Sequence, residues 1–284
     1  MIKNIEFRKN YAAITAFPIP FFKIYQISKL SHFMKYLFIL IVSLLFSLSL
    51  LSQDLQLHYD LRHTVDPKNN PANFPTLYFQ YFKLQGTGKS DSGKSFIKPG
   101  SFLCKMEADM LGDQQNIGKG FVQVSQSLRC WKPRVYLSLQ YSGGLGVTQP
   151  AQYSYYITNT FAAGAAYSFQ WKKAWFSSIL YYQVTRYTKP SHDPLYTLYW
   201  WKGYFHYKLE FAGDFSIWTA NKNQGDKATS SMRGKMFYFF AEPQVWYNLN
   251  KSFALGSKIN MYYHVNTTDN QFQVYPTVAI KYKL

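Results

Sequence analysis

The last thirteen residues constrain this chain more than any other stretch. Read alternately, they put Phe272, Val274, Pro276, Val278, Ile280, Tyr282 and Leu284 on one side. The other side is Gln273, Tyr275, Thr277, Ala279, Lys281 and Lys283. A strict period of two, apolar against polar or mixed, is the pattern of a β-strand with two different surroundings. A strand with one oily face belongs either to a soluble sandwich or to a barrel whose oily face meets lipid.

The beginning of the chain favours export. Met34-Lys35 is followed by an apolar run from Tyr36 to Leu51, broken only by serines, with small residues near Ser52. A short basic start, a short apolar stretch and a small-residue site describe a secretory signal over 34–52, with cleavage expected before Gln53. The run stops short of the roughly 20 residues a spanning helix needs. Residues 1–33, rich in Lys, Phe, Tyr and Ile without periodicity, are read as an upstream segment that precedes the true start. Residues 53–284 then form one exported β domain with 25 Lys and Arg against 13 Asp and Glu, a net charge of +12.

Composition matters here for two reasons. Aromatic residues make up 20% of the chain, yet the mean hydropathy is negative, which suits strands with aromatic girdles at two interfaces. The basic residues are scattered, with no run and no recognisable module, so nucleic acid is excluded as a partner. A basic surface or lumen facing anionic envelope components, with tolerance of anionic solutes, is expected instead. Cys104 and Cys130 fall on the apolar faces of consecutive strands; two cysteines are too few for a metal or redox motif, and their pairing is left open.

Twelve strand-like segments are expected, near 54–61, 76–84, 101–111, 120–131, 134–143, 155–169, 174–187, 196–206, 208–219, 235–247, 253–264 and 271–284. The second, sixth, seventh and eighth are too aromatic on both sides to orient. Short links, such as Lys132-Pro133-Arg134, Lys172-Lys173 and Asn248 to Lys251, alternate with long ones at 62–75, 144–154, 188–195, 220–234 and 265–270. Short turns at one end and long loops at the other are a membrane barrel's habit, and a sandwich has no reason for it. The link at 85–100 is long where a short one is due. Glu107, Asp109, Lys208, Glu210, Asp214, Glu242, Lys258 and Lys281 all fall on the polar faces. The fold class expected is therefore all-β, an antiparallel up-and-down transmembrane barrel of about twelve strands.

The run Glu242-Pro243-Gln244-Val245-Trp246-Tyr247-Asn248-Leu249-Asn250-Lys251 is followed by Phe253, Leu255 and Gly256, then by Tyr275 to Tyr282. Together with Leu55 to Asp60 these resemble the nucleoside-specific channel-forming outer-membrane porins, and within that superfamily a branch described only as a domain of unknown function. The resemblance spans 53–284 and implies a monomeric twelve-stranded barrel with a narrow lumen that passes nucleosides, with outer-membrane lipid and the barrel-assembly machinery as partners. A nucleoside offers a flat base for stacking and ribose hydroxyls for carboxylates and amides. The polar faces supply both: Tyr136, Trp218, Tyr238 and Trp246 for stacking, and Glu107, Asp109, Asp214, Glu242 and Gln244 for hydrogen bonds.

Catalysis is not expected. Ser191-His192-Asp193 places three suggestive residues together, but neighbours in an extended chain point to opposite faces. They are read as turn residues between Pro190 and Pro194. Gly143-Gly144-Leu145-Gly146 is read as ending a strand and opening a loop, so it makes no phosphate cradle. Neither cofactor nor metal is expected. The function expected is passive diffusion of a small polar solute through the outer membrane. The alternatives are a non-conducting structural or receptor barrel and a phospholipase-like barrel enzyme.

Overall fold

The computed structural model describes residues 52–83, 98–112, 116–129, 135–147, 153–265, 267 and 269–284. The expected signal segment, the 85–97 part of the unusual link and Cys130 lie outside these residues. The strands are β1 (Ser52–Asp60), β2 (Phe74–Lys83), β3 (Lys98–Asp109), β4 (Lys119–Arg129), β5 (Val135–Val147), β6 (Ser154–Trp171), β7 (Ala174–Thr185) and β8 (Ser191–Tyr204). They continue as β9 (Leu209–Asn221), β10 (Lys235–Ala241), β11 (Gln244–Asn248), β12 (Phe253–Tyr263) and β13 (Phe272–Lys283). One helical turn, Arg62–Val65, follows β1. Among the described residues no helix is long and apolar enough to cross a membrane.

Every strand pairs antiparallel with its neighbours, and β13 returns to pair with β1 through Leu57↔Ile280 and Asp60↔Thr277, closing the sheet on itself. β10 and β11 are two halves of one barrel strand, since both lie between β9 and β12. The break falls at Glu242-Pro243, where proline has no N–H to give the ladder. Glu242 N–H donates to Asp214 O (2.8 Å) and Ile259 N–H to Pro243 O (3.0 Å), so the strand crosses the gap without changing face. The closed barrel therefore has twelve strands, and no sheet edge is left open.

Its polarity is inverted relative to a soluble protein. Leu57, Leu180, Val278 and Ile280 are exposed on the outside, while Gln56, His58, Asp60, Lys258 and Asp193 are buried within. Leu55, Leu57 and Tyr59 point out from β1 and Gln56, His58 and Asp60 point in, as strand alternation requires. Cys104 shares the outward face of β3 with Met106; its relation to Cys130 lies outside the described residues.

The structure corrects three local expectations. Gly143 to Gly146 lie inside β5, which runs on to Val147 with a register shift at Gly144/Leu145. Ser191-His192-Asp193 open β8 and are not turn residues: Ser191 pairs with Thr185 and Asp193 with Gln183. Pro194 points outward there and costs the strand only one donor. Lys208 belongs to the exposed turn between β8 and β9, not to a lumen face. Of the links described in full, 172–173, 205–208 and 249–252 are short and 61–73 and 222–234 are long, as expected, whereas the long link expected at 188–195 shrinks to 186–190 because β8 opens at Ser191.

Candidate functional site

Side chains from opposite walls meet inside the barrel and divide its lumen into layers. At the waist, Lys105 Nζ on β3 lies 2.6 Å from Asp214 Oδ1 on β9 and 3.7 Å from Glu242 Oε2. Lys258 Nζ on β12 lies 2.6 Å from Glu242 Oε1 and 3.1 Å from Glu107 Oε1. Aromatic rings support both ammoniums, Tyr199 at 5.5 Å from Lys105 Nζ and Tyr78 at 4.9 Å from Lys258 Nζ. Gln123 extends the bridge to the remaining wall by donating to Tyr199 Oη and Gln140 Oε1, each at 3.0 Å. Charges removed from water are costly unless paired and hydrogen-bonded. Here the pairing is nearly complete: the side chains of Lys105, Asp214, Glu242 and Lys258 are 1–7% exposed, whereas that of Glu107 is 26% exposed.

Toward the short-turn end Trp246 is fully buried, its ring capped by Lys281 Nζ at 4.3 Å and its Nε1 donating to Gln244 Oε1 at 2.9 Å. His58 meets the indole edge-on, with ring centroids 5.9 Å apart. Its Nε2 lies 2.7 Å from Gln56 Oε1 and its Nδ1 2.9 Å from Thr277 Oγ1. Thr277 also takes the Lys258 backbone N–H (3.1 Å), and both side chains are walled off from solvent, so this Thr–His pair offers no nucleophile to a substrate. Below them Glu210 pairs with Lys281 and Lys283.

Toward the long loops the lumen has two polar walls. On one, Asp60 holds Arg62 (2.8 Å), whose guanidinium packs over Phe74 and Tyr275. On the other, Asp193 holds Lys235 (2.5 Å) and accepts from Thr219 and Ser191. Trp218 and Tyr238 stack nearly parallel there, with centroids 5.2 Å apart.

All nine residues proposed from the sequence face inward, but they do not form one site. Glu107, Asp214 and Glu242 converge at the waist, and Gln244 with Trp246 forms the layer beneath. Trp218 and Tyr238 pair near the long loops. Asp109 accepts from Thr76 Oγ1 at 2.7 Å, and Tyr136 lies on the far wall under Arg129. Sequence reasoning missed Lys105, Lys258, Tyr78, Tyr199 and His58 as site residues. Alternation already set both lysines on polar faces; what it lacked was the pairing of strands far apart in the chain.

The interior carries both signs in near balance, with Lys98, Lys105, Lys119, Arg129, Lys258, Lys281 and Lys283 on inward strand positions. Asp54, Asp60, Glu107, Asp109, Asp193, Glu210, Asp214 and Glu242, eight of the 13 acids of 53–284, face inward. The basic excess lies in turns and loops, at Lys172, Lys173, Lys208, Lys251, Lys189, Lys222, Lys227 and Arg233 among others. Among the described residues no cluster of three His, Cys, Asp or Glu is arranged to hold a metal.

The family model described as Domain of unknown function (DUF5020) matches residues 52–284. No curated protein matches the chain in sequence. Among solved structures it is similar to a KdgM porin, with 6% identity over 82% of this chain and 99% of that one, at a TM-score of 0.42. It is also similar to a NanC porin (11% identity, 82% and 100%, TM-score 0.46). LpxR from Salmonella typhimurium is a third (8% identity, 82% and 100%, TM-score 0.39).

Proposed function

The chain belongs to the family described as Domain of unknown function (DUF5020), and from that premise we propose that it is an outer-membrane channel for passive diffusion of small polar solutes, nucleosides first among them. The observation that carries this reading is the ladder of ion pairs across the lumen, flanked by Tyr78, Tyr199 and Trp246. Buried ion pairs add little net stability compared with apolar packing. A barrel kept only as a scaffold would fill its lumen more cheaply with apolar side chains, so ionisable groups at membrane depth point to a solute pathway. The outward belt of Leu, Val, Ile and aromatic residues is what lipid contact requires and supports the outer-membrane location. Export by the 34–52 segment, insertion by the barrel-assembly machinery and a monomeric state belong to the same proposal.

Nucleosides fit the chemistry of the long-loop wall. A base can stack on the Trp218–Tyr238 platform, while ribose hydroxyls reach carboxylates and amides deeper in. Because the waist is bridged, conductance is expected to be small and solute-dependent. No covalent chemistry is assigned: His192 points outward to Tyr182 Oη (2.7 Å), away from the inward Ser191 and Asp193.

The test is single-channel conductance of the refolded barrel in a planar bilayer, titrated with adenosine, thymidine and a neutral sugar. Block by the nucleosides, where the sugar does nothing, supports the proposal. A conducting barrel indifferent to all three keeps the channel and removes the nucleoside. A folded barrel that never conducts favours the scaffold or receptor reading, and hydrolysis of phospholipid in detergent would favour the enzyme.

A further inference from the structure

Resting on the channel reading, we infer that the waist makes this barrel prefer cations, although the chain as a whole is strongly basic. Selectivity is decided where a permeating ion meets fixed charges at close quarters, not by charge at the rims. At the waist three carboxylates, Glu107, Asp214 and Glu242, face two ammoniums, Lys105 and Lys258. Asp214 and Glu242 are enclosed by the lysines. Glu107 shares Lys258 with Glu242 and is the waist carboxylate that water reaches, so the uncompensated negative charge stands at the accessible position.

The layers next to the waist are paired largely within themselves. Above, Asp60 and Asp109 are matched by Arg62 and Lys119, which lies among Asp60, Glu107 and Asp109. Below, Asp54 and Glu210 are matched by Lys281 and Lys283, and the further inward bases Lys98 and Arg129 stand at the short-turn rim of β3 and β4, away from the waist.

A second observation is independent of the charge count. Asn260, on the same face of β12 as Lys258 and one step nearer the long loops, is 4% exposed. Its Nδ2 approaches Asp60 Oδ2 at 3.5 Å, and its Oδ1 has no hydrogen-bond donor. A buried acceptor without a partner costs free energy until a donor or a cation comes to it. A potassium ion or a small protonated amine supplies the partner that Asn260 Oδ1 lacks and a second cation for Glu107, which has only a share of Lys258, whereas chloride supplies neither.

The experiment is the reversal potential of the refolded full barrel between potassium chloride solutions of unequal concentration. The expected result is a potential of the sign given by potassium permeating faster than chloride. Glu107→Gln should lower that permeability ratio by about twofold or more, and Asn260→Leu should lower it less. Glu107→Lys should bring it below unity. Because Lys258 depends on Glu107, each variant is first shown to be folded by heat-modifiable migration in detergent gels. Asn260→Leu, which removes no charge, serves as the second probe should a Glu107 variant not fold. A chloride-selective wild type, or a ratio unmoved in folded Glu107 variants, overturns the inference and leaves the channel intact. Absence of any conductance from folded wild type overturns the channel reading, and this inference with it.

Discussion

Lys105 and Asp214 sit on strands 109 residues apart in sequence and meet at 2.6 Å across the lumen. With both side chains almost wholly buried, each is the other's main compensation for leaving water. Lys105→Met should therefore destabilise the barrel by about 3–5 kcal/mol, because it leaves Asp214 buried without its ammonium. The double variant Lys105→Met with Asp214→Leu should lose far less than the two single losses added together. Urea unfolding from lipid vesicles, read as a double-mutant cycle, measures the coupling. Additive losses would mean that the contact contributes nothing as a pair.

Trp246 depends on a residue with no side chain. Gly256 lies directly opposite it in the β11–β12 register, and a Cβ there would run into the Val245 carbonyl and the Trp246 indole. The ring covers the bare backbone, which is how a sheet accommodates a large inward aromatic beside a glycine. Gly256→Ala should push the indole off Lys281 and Gln244, costing about 1–3 kcal/mol through overpacking. Trp246→Ala should cost about 3–5 kcal/mol as a cavity. Trp246 fluorescence, read in a background lacking the other tryptophans, should shift to the red in Gly256→Ala.

The turn between β6 and β7 is strained in a way that can be relieved. Lys172 and Lys173 both have positive φ, 48° and 63°, the conformation of a two-residue type I′ hairpin that Asn-Gly adopts with least strain. An L-residue held there costs roughly 1–2 kcal/mol relative to its usual conformation. Lys173→Gly should raise stability by about 1 kcal/mol without touching the lumen. Lys172 is better left alone, since its ammonium packs 5.0 Å from the Trp171 ring.

These residues show where the sequence was legible. Alternation alone oriented Leu55 to Asp60, Phe102 to Asp109 and Phe272 to Lys283, because one face of each is apolar and the other carries charge. It could not orient β2, β6, β7 or β8, where Tyr, Phe and Trp occur on both faces. Tyr78, Tyr181 and Tyr199 were lost with them. Aromatic residues serve both a lipid-facing surface and a packed lumen, so hydropathy does not separate the two roles. The partnerships Lys105–Asp214 and Lys258–Glu107 were illegible for a different reason: they follow from barrel closure, which joins strands that local pattern treats as independent. Gly143 to Gly146 and Ser191 to Asp193 misled because turn-forming residues also occupy strands at bulges and ends.

The loop between β9 and β10 carries an acid-sensitive clasp. Asp226 Oδ1 accepts the Thr229 hydroxyl (2.8 Å) and backbone N–H (2.7 Å). Both bonds favour the ionised carboxylate and hold its pKa below the ordinary value. A depressed folded value means that the clasp's contribution is fully present above the unfolded carboxylate range, about pH 3.9. That contribution is lost as pH falls through the lower folded value. Carboxyl-carbon NMR titration should find Asp226 below a free aspartate, and Thr229→Val should move it back up. An Asp226 titrating like a free aspartate in the wild type would remove the clasp.

The stack of Trp218 on Tyr238 supplies the sharpest separation between a channel that reads bases and one that reads only size. The rings lie 6° from parallel and close off one face of each other, leaving a base only the remaining face. Removing Trp218 removes an aromatic surface but no charge, so ion conductance through the waist should change little. If a base stacks here, Trp218→Ala should weaken nucleoside block by roughly five- to a hundred-fold, the equivalent of about 1–3 kcal/mol per stacked base. Tyr238→Phe, which keeps the ring and loses only the hydroxyl, should stay near wild type. Block by a neutral sugar provides the control. If sugar block and nucleoside block fall together in Trp218→Ala, the residue holds the mouth in shape and stacks on nothing. A nucleoside-specific fall, retained by Tyr238→Phe, assigns the stacking role to the aromatic face itself.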